Sequence, residues 1–429
     1  MSSPAGTDGL DGDEGLVTRY LLLGLAVGRH ADGFVDAYYG PAPLASRARS
    51  GPLESPGELV SRARGLLADI DAGAPLDDEV GPSGDHTSAE PVRRRWLRAQ
   101  VVGLWTSARI LAGDSMSYAD EVEACYGVRP QRYAEEEFVE SHARLDEVMP
   151  GTGDLRERFG RWRESHAVPP EKLEPALYSL ADDLRARTAA TFGLPDGESI
   201  SFELVNGAPW SGFNYFLGDL KSRVAINVDL PVLSTGLAHL VSHEAYPGHH
   251  TEHCRKEVGL VRRRHQLEET IFLVGTPQCL LAEGLADLGL EVLLGPRPEA
   301  VVAEHLRPLG IRYEADEVAL VAAAGQVLGH ARANAAFRLH EDGADPSVVA
   351  DELARWALLS PARARKAIDF LVDPLWRSYI TCYVEGVRLC REFTAGRPAR
   401  FARLLDEQLV PADLTAPQVE AGSSLSSDL

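Results

Sequence analysis

Only two stretches of this chain, 198–204 (ESISFEL) and 222–229 (SRVAINVD), show the alternation and β-branched content of strands. Long stretches of the rest are dominated by Ala, Leu, Arg and Glu, which lose little rotamer freedom in a helix. A chain written this way has to pack helix on helix, with one small sheet as a local exception. Prolines mark where the helices break, near Pro130, Pro150 and Pro169, and later near Pro346, Pro361 and Pro374. The expected fold is mainly α: a large multi-helix body with a small antiparallel β-sheet at 198–229, directly before the next helix.

The domain reading follows the same signals. Residues 1–15 read as a disordered tail, and 16–410 as a single helical domain, either one body or two lobes around a cleft. Within it, GFVDAYYGPAPL at 33–44 is a turn-rich interruption. Residues 71–91 are acidic and rich in Gly, Pro, Ser and Asp, so they read as an exposed loop. Thr276 and Pro277 suit the start of a helix over 277–294. Residues 411–429 read as a loose C-terminal tail.

Charge and cysteine usage narrow the partners. With 64 acidic against 43 basic residues the formal charge is -21, which disfavours nucleic acid and anionic membranes. The start of the sequence lacks a basic segment followed by a long apolar one, so a secretory signal is not expected. The apolar run from Leu21 to Val27 is too short to span a bilayer. Five scattered cysteines without metal-type spacing fit reduced thiols and a cytoplasmic location.

The chemistry concentrates in one place. Five of the 13 histidines lie between His239 and His253. His243-Glu244 opens a string that continues Ala-Tyr-Pro-Gly to His249-His250. A His-Glu pair followed by further His on a helix is how zinc hydrolases hold the metal and place a carboxylate beside its water. The position four residues after His243 is Pro247, so the strict motif is absent. In an unbroken helix His250, not His249, would return to the face of His243. Pro247 forbids a regular helix there, and Gly248 tolerates a widened turn. A bulge absorbing two residues would bring His249 round, so His249 is favoured and His250 is the alternative. The third ligand candidate is Glu283, a carboxylate among Leu280, Leu281, Leu285 and Leu288, costly to bury without a partner. Asp287, one turn on, could fix the tautomer of a ligand histidine. His250 is also a candidate for hydrogen bonding to substrate.

HEAYPGHHTEH at 243–253 and AEGLAD at 282–287 resemble the bacterial domain-of-unknown-function family 885, grouped by resemblance with gluzincin-type zinc metallopeptidases. Further matches are GFVDAYYGP at 33–41, PWSGFNYFLG at 209–218, SRVAINVDLP at 222–231 and Tyr383-Val384-Glu385-Gly386. The resemblance runs from about residue 30 to 395. It implies a metallopeptidase-like body with zinc held by His243, His249 and Glu283, and Glu244 as general base. It also implies Tyr383 as a donor to the developing oxyanion. The family often has Trp after the Glu-Gly pair; this chain has Leu285. The function expected is zinc-dependent hydrolysis of peptide bonds in short peptides. A zinc hydrolase of another amide or ester and a non-catalytic metal-binding protein are the alternatives. The strand at 222–229 is expected to offer a free edge to an extended peptide.

Overall fold

The computed structural model describes residues 14–76, 90–208, 210–374 and 376–416. Most of the two segments read as tail and acidic loop, 1–13 and 77–89, lies outside them, as does 417–429. The first helices are α1 (Leu16–Gly28), α2 (Ala42–Ser50), α3 (Pro56–Asp71) and α4 (Glu90–Leu111), with strand β1 (Val35–Tyr38) between α1 and α2. Next come α5 (Tyr118–Tyr126), α6 (Glu135–Val148), α7 (Leu155–Ser165) and the long α8 (Pro170–Phe192). Three strands follow: β2 (Ser199–Val205), β3 (Gly212–Gly218) and β4 (Lys221–Asn227). The chain then runs through α9 (Ser234–Glu244), α10 (His249–Lys256), β5 (Ile271–Leu273) and α11 (Pro277–Leu294). After it come α12 (Glu299–Leu306), α13 (Ala315–Ala324), α14 (Ala331–His340), α15 (Pro346–Trp356) and α16 (Pro361–Val372). The last are α17 (Val387–Thr394), α18 (Pro398–Asp406) and α19 (Pro411–Thr415).

The fold is mainly helical, as the composition requires, and the prolines do what their fixed φ predicts. Pro56, Pro346 and Pro361 each sit in the first turn of a helix, behind an N-cap Ser55, Asp345 or Ser360 whose side chain accepts a backbone N–H. Residues 411–415, read as part of a loose tail, form α19 instead; the Asp413 carboxylate accepts from the Val410 N–H and closes its first turn.

The sheet differs in its pairing. β4 lies in the middle, antiparallel to β3 and parallel to β2, so the order is β2-β4-β3. The β3–β4 hairpin turns at Asp219-Leu220, both with positive φ. Val224, Ala225 and Ile226 are all buried, and an unbroken apolar run of this kind marks a strand covered on both faces. The free edge expected at 222–229 is therefore occupied on both sides. A second sheet, antiparallel β1–β5, forms where the sequence offered only a turn-rich segment. Its strands are too short, and too far apart in sequence, for a periodicity signal.

Three apolar clusters hold the body together. One gathers α1, α3 and α4 around Tyr20, Leu97 and Trp96. A second packs α8, β4 and α9 around Leu177, Ile226 and Val241. The third centres on α11 and the C-terminal helices, with Leu280, Leu285 and Phe401. All five cysteines are free and buried. Among the described residues, no helix is long and apolar enough to cross a membrane.

Candidate metal centre

The helix carrying His243 does not bulge at Pro247; it stops. α9 ends at Glu244, and the chain bends through Ala245–Gly248, crossing a cis Tyr246–Pro247 bond, before α10 begins at His249. Gly248 is required at the bend: a Cβ there would lie 2.0 Å from the His243 carbonyl oxygen. The break reorients the chain so that His249 Nε2 comes within 3.1 Å of His243 Nε2. The structure brings His243 and His249 together from two helices rather than one deformed helix.

Glu283, on α11, completes the group. Its carboxylate oxygens lie 3.3 Å from His243 Nε2 and 3.4 Å from His249 Nε2. Asp287 Oδ1 lies 2.8 Å from His243 Nδ1 and 3.3 Å from His239 Nε2. With its Nδ1–H donated to Asp287, a neutral His243 would present its Nε2 lone pair to a cation held together with Glu283. Glu283 Oε1 accepts from the Tyr379 hydroxyl at 2.8 Å, while the buried Oε2 has no hydrogen-bond partner. Lone pairs converging on one point, with a buried carboxylate oxygen left unpaired, is the chemistry of a cation site. The spacing fits as well. Donors about 2.0–2.1 Å from a tetrahedral ion sit roughly 3.3 Å apart, and the three separations are 3.1, 3.3 and 3.4 Å.

The electrostatics agree. Burial opposes ionisation of Glu283, but His249 and His243 outweigh it and hold the carboxyl well below the carboxylate range. Burial also opposes the charge on Asp287, and His239 and His243 hold it low in the same way. Glu244 has the opposite balance. Burial dominates, so its carboxyl is pushed up despite the two imidazoles. It packs against Gly212 of β3, where a Cβ would approach Glu244 Oε1 to 2.9 Å. Asn214 Nδ2 donates to the Glu244 backbone carbonyl at 2.6 Å and ties the end of α9 to that strand. A carboxylate beside a cation site, with its proton affinity raised, is suited to taking a proton.

Tyr383 stands at the rim, 39% exposed, with its ring centre 6.4 Å from that of His243. It belongs to a π-helical turn, Cys382–Gly386, that lies directly on α11. Two glycines allow that approach. A Cβ on Gly284 would be 2.3 Å from the Gly386 carbonyl oxygen, and one on Gly386 would be 2.4 Å from that of Leu280. The Gly of the Glu-Gly pair and the Gly of the Tyr-x-x-Gly element thus serve one purpose.

His250 does not join the group. It is fully buried and turned the other way, with Nδ1 2.8 Å from Ser222 Oγ and Nε2 2.9 Å from Glu198 Oε2. Glu198 also accepts from Tyr246 and Arg185. Both ring nitrogens of His250 are committed, so the substrate contact expected of it is excluded; it anchors α10 to the sheet. His253 likewise stacks on Phe216 at 4.8 Å. Two residues near the group were not among the site candidates read from the sequence. Tyr379 is one. The other is Asp36, the extra residue of the bulge between Val35 and Ala37 of β1. Burial pushes its carboxyl up to about 7, with His249 opposing and Glu283 and Glu244 adding to the rise.

No family model matches the chain, and no curated protein does. Among solved structures, a proposed lipoprotein from Colwellia psychrerythraea aligns with a TM-score of 0.47 at 14% identity, covering 86% of this chain and 70% of that one. A proposed lipoprotein of unknown function from Shewanella oneidensis aligns with a TM-score of 0.45 at 13% identity, covering 87% and 75%.

Proposed function

We propose that this chain is a zinc-dependent hydrolase of the gluzincin type that cleaves peptide bonds in short peptides. The observation that carries the reading is the triangle of His243, His249 and Glu283 with an uncommitted carboxylate, Glu244, beside it. A purely structural zinc site fills its fourth position with protein and needs no neighbouring base. Zinc bound by the three side chains would supply Lewis acidity and lower the pKa of water from about 15.7 toward 7.

The chain's own residues do the rest. Glu244 accepts the proton of the attacking water and returns it to the departing amine. Its raised proton affinity suits both halves of that transfer. Tyr383 donates its hydroxyl to the carbonyl oxygen as charge builds there; loss of such a donor typically costs about 100- to 1,000-fold in rate. Asp287 keeps the His243 lone pair directed inward, and Tyr379 orients the Glu283 carboxylate. With β4 enclosed, a substrate in extended form would lie along β3, the strand that passes Glu244 at Gly212.

The test is digestion of a peptide library by zinc-loaded protein, with end-group analysis, in parallel with Glu244→Gln. Wild-type protein should cleave, and the variant should keep its zinc and lose nearly all turnover. A variant that remains active removes Glu244 as the base. A library left intact by the wild type, with another amide or ester cleaved, moves the substrate class and keeps the mechanism.

A further inference from the structure

The three-stranded sheet has two unlike faces. On the inner one, Asn214 of β3 holds the Glu244 carbonyl and Phe216 stacks on His253. Side chains alternate along a strand, so Phe213, Tyr215 and Leu217 stand on the outer face. Trp210, on the loop leading into β3, joins the first two. The ring centres are 5.4 Å apart for Trp210–Phe213, 4.6 Å for Phe213–Tyr215 and 6.5 Å for Trp210–Tyr215. All three rings are half-buried, and none belongs to the three apolar clusters of the body. Leu217 continues the row and is 61% exposed. Across from Phe213 on β4 lies only Ala225, so the aromatic surface is much larger than what it covers.

The row is also held in place. Arg223, opposite Tyr215 on β4, lies over its ring at 4.2 Å and is itself paired with Glu203 of β2. Asn227 Nδ2 donates to the carbonyls of Ala208 and Trp210 at 2.8 and 3.0 Å, and the Gly207 N–H donates to Asp229 at 2.9 Å. These bonds fix the loop that carries Trp210. Aromatic surface that is already ordered costs little entropy when it takes a ligand.

Its position indicates which ligand. β3 is an edge of its sheet among the described residues. Gly212, one residue before Phe213, passes so close to the proposed base that a Cβ would lie 2.9 Å from Glu244 Oε1. At about 3.3 Å per residue, Phe213 and Tyr215 stand about 3 and 10 Å along the strand from that point. An extended peptide paired to this edge turns alternate side chains to the outer face, beside those rings.

We infer that Trp210, Phe213 and Tyr215 form an apolar subsite that selects peptides carrying a large apolar or aromatic side chain near the bond to be cleaved. The inference deepens the peptidase reading and rests on it for the identity of the ligand.

The probes are acetylated, amidated hexapeptides of Ala and Ser with Phe placed at each position in turn, compared with the parent that lacks Phe. Binding is measured by calorimetry on the full-length, zinc-loaded Glu244→Gln protein, so turnover does not interfere. Phe in at least one position should tighten binding tenfold over the parent. Phe213→Ser together with Tyr215→Ser in the same protein should cut that ratio at least fivefold. The ratio is the readout because a general loosening of the sheet would weaken both peptides alike. Should the double replacement fail to fold, Tyr215→Ser alone should lower the ratio at least threefold. No favoured Phe position, no binding of any peptide, or a ratio that survives the replacements overturns the subsite. Hydrolysis of the same peptides by wild-type protein is scored separately. Its absence would refute the peptidase reading while leaving the binding comparison to stand by itself.

Discussion

The contact between α11 and the π-turn at Cys382–Gly386 allows a prediction in which two physical effects have opposite signs. Gly284 lies inside α11, where replacement by Ala would ordinarily stabilise by about 0.5–1 kcal/mol. The geometry says the reverse. The new Cβ would sit 2.3 Å from the Gly386 carbonyl oxygen and 2.9 Å from Cys390 Sγ. Ordinary carbon–oxygen contacts are roughly 3.3–3.6 Å, so the turn must retreat by about 1 Å. Overpacking of this kind costs about 1–3 kcal/mol, and backbone yields less readily than a side chain. The net expectation for Gly284→Ala is a loss of about 1–2 kcal/mol, visible as a fall of a few degrees in Tm. Gly65 in α3 is the control, because a Cβ there meets nothing within 4 Å; Gly65→Ala should raise Tm slightly. The retreating turn should also take Tyr379 off Glu283, so zinc affinity, read by chelator competition, should fall at least tenfold. If both variants gain stability and zinc affinity is unchanged, the two elements are not in the contact described, and Tyr383 is not placed by it.

Other outcomes follow from the same geometry. Glu283→Ala should lower zinc content, and unchanged stoichiometry on elemental analysis removes Glu283 from the ligand set. Asp287→Asn should weaken zinc by about 10- to 100-fold by disturbing the His243 tautomer; chelator competition showing no change would make Asp287 a bystander. The buried Glu269 gives a pH effect of definite sign. Burial raises its carboxyl to about 7, with Lys256 and Gln408 opposing and Glu268 and Glu252 adding. A folded value above the ordinary 4.5 means the folded state holds the proton more tightly. Its contribution is present below pH 4.5 and is lost as pH rises through 7, up to about 3 kcal/mol in all. Glu269→Gln should flatten the decline of Tm between pH 5 and 8, and an identical slope would refute the assignment.

What the sequence disclosed, and what it hid, divide along physical lines. The group of His243, His249 and Glu283 was legible because two of its members share one short string and the third stands out as a carboxylate in an apolar helix. The structure brings His243 and His249 together, but by a different local picture from the one the sequence suggested. Pro247 signals that the helix fails but not how, and the chain breaks over four residues instead of widening. His250 misled because adjacency in sequence says nothing about direction once a helix restarts. Asp36 and Tyr379 were not singled out: Asp36 lies in the GFVDAYYGP string, which nothing in the sequence tied to the site, Tyr379 lies in no pattern, and each reaches the site through pairing remote in sequence, β1 with β5 in one case and the segment before the π-turn with α11 in the other. β4 was misjudged in its neighbours, although its Val-Ala-Ile run contained the clue that both faces are covered.

The interruption at Ala245–Gly248 matters for more than aiming an imidazole. His243 belongs to a helix whose apolar face packs with α8 and β4, whereas Glu283 sits on the helix at the heart of the C-terminal cluster. An ion gripped from both sides would act as a rivet between two apolar bodies that α9 and α11 already bring into contact. Removing it would leave each body its own interior but cut one of the ties by which they melt together, so a chelated sample would be expected to lose cooperativity before it loses helix.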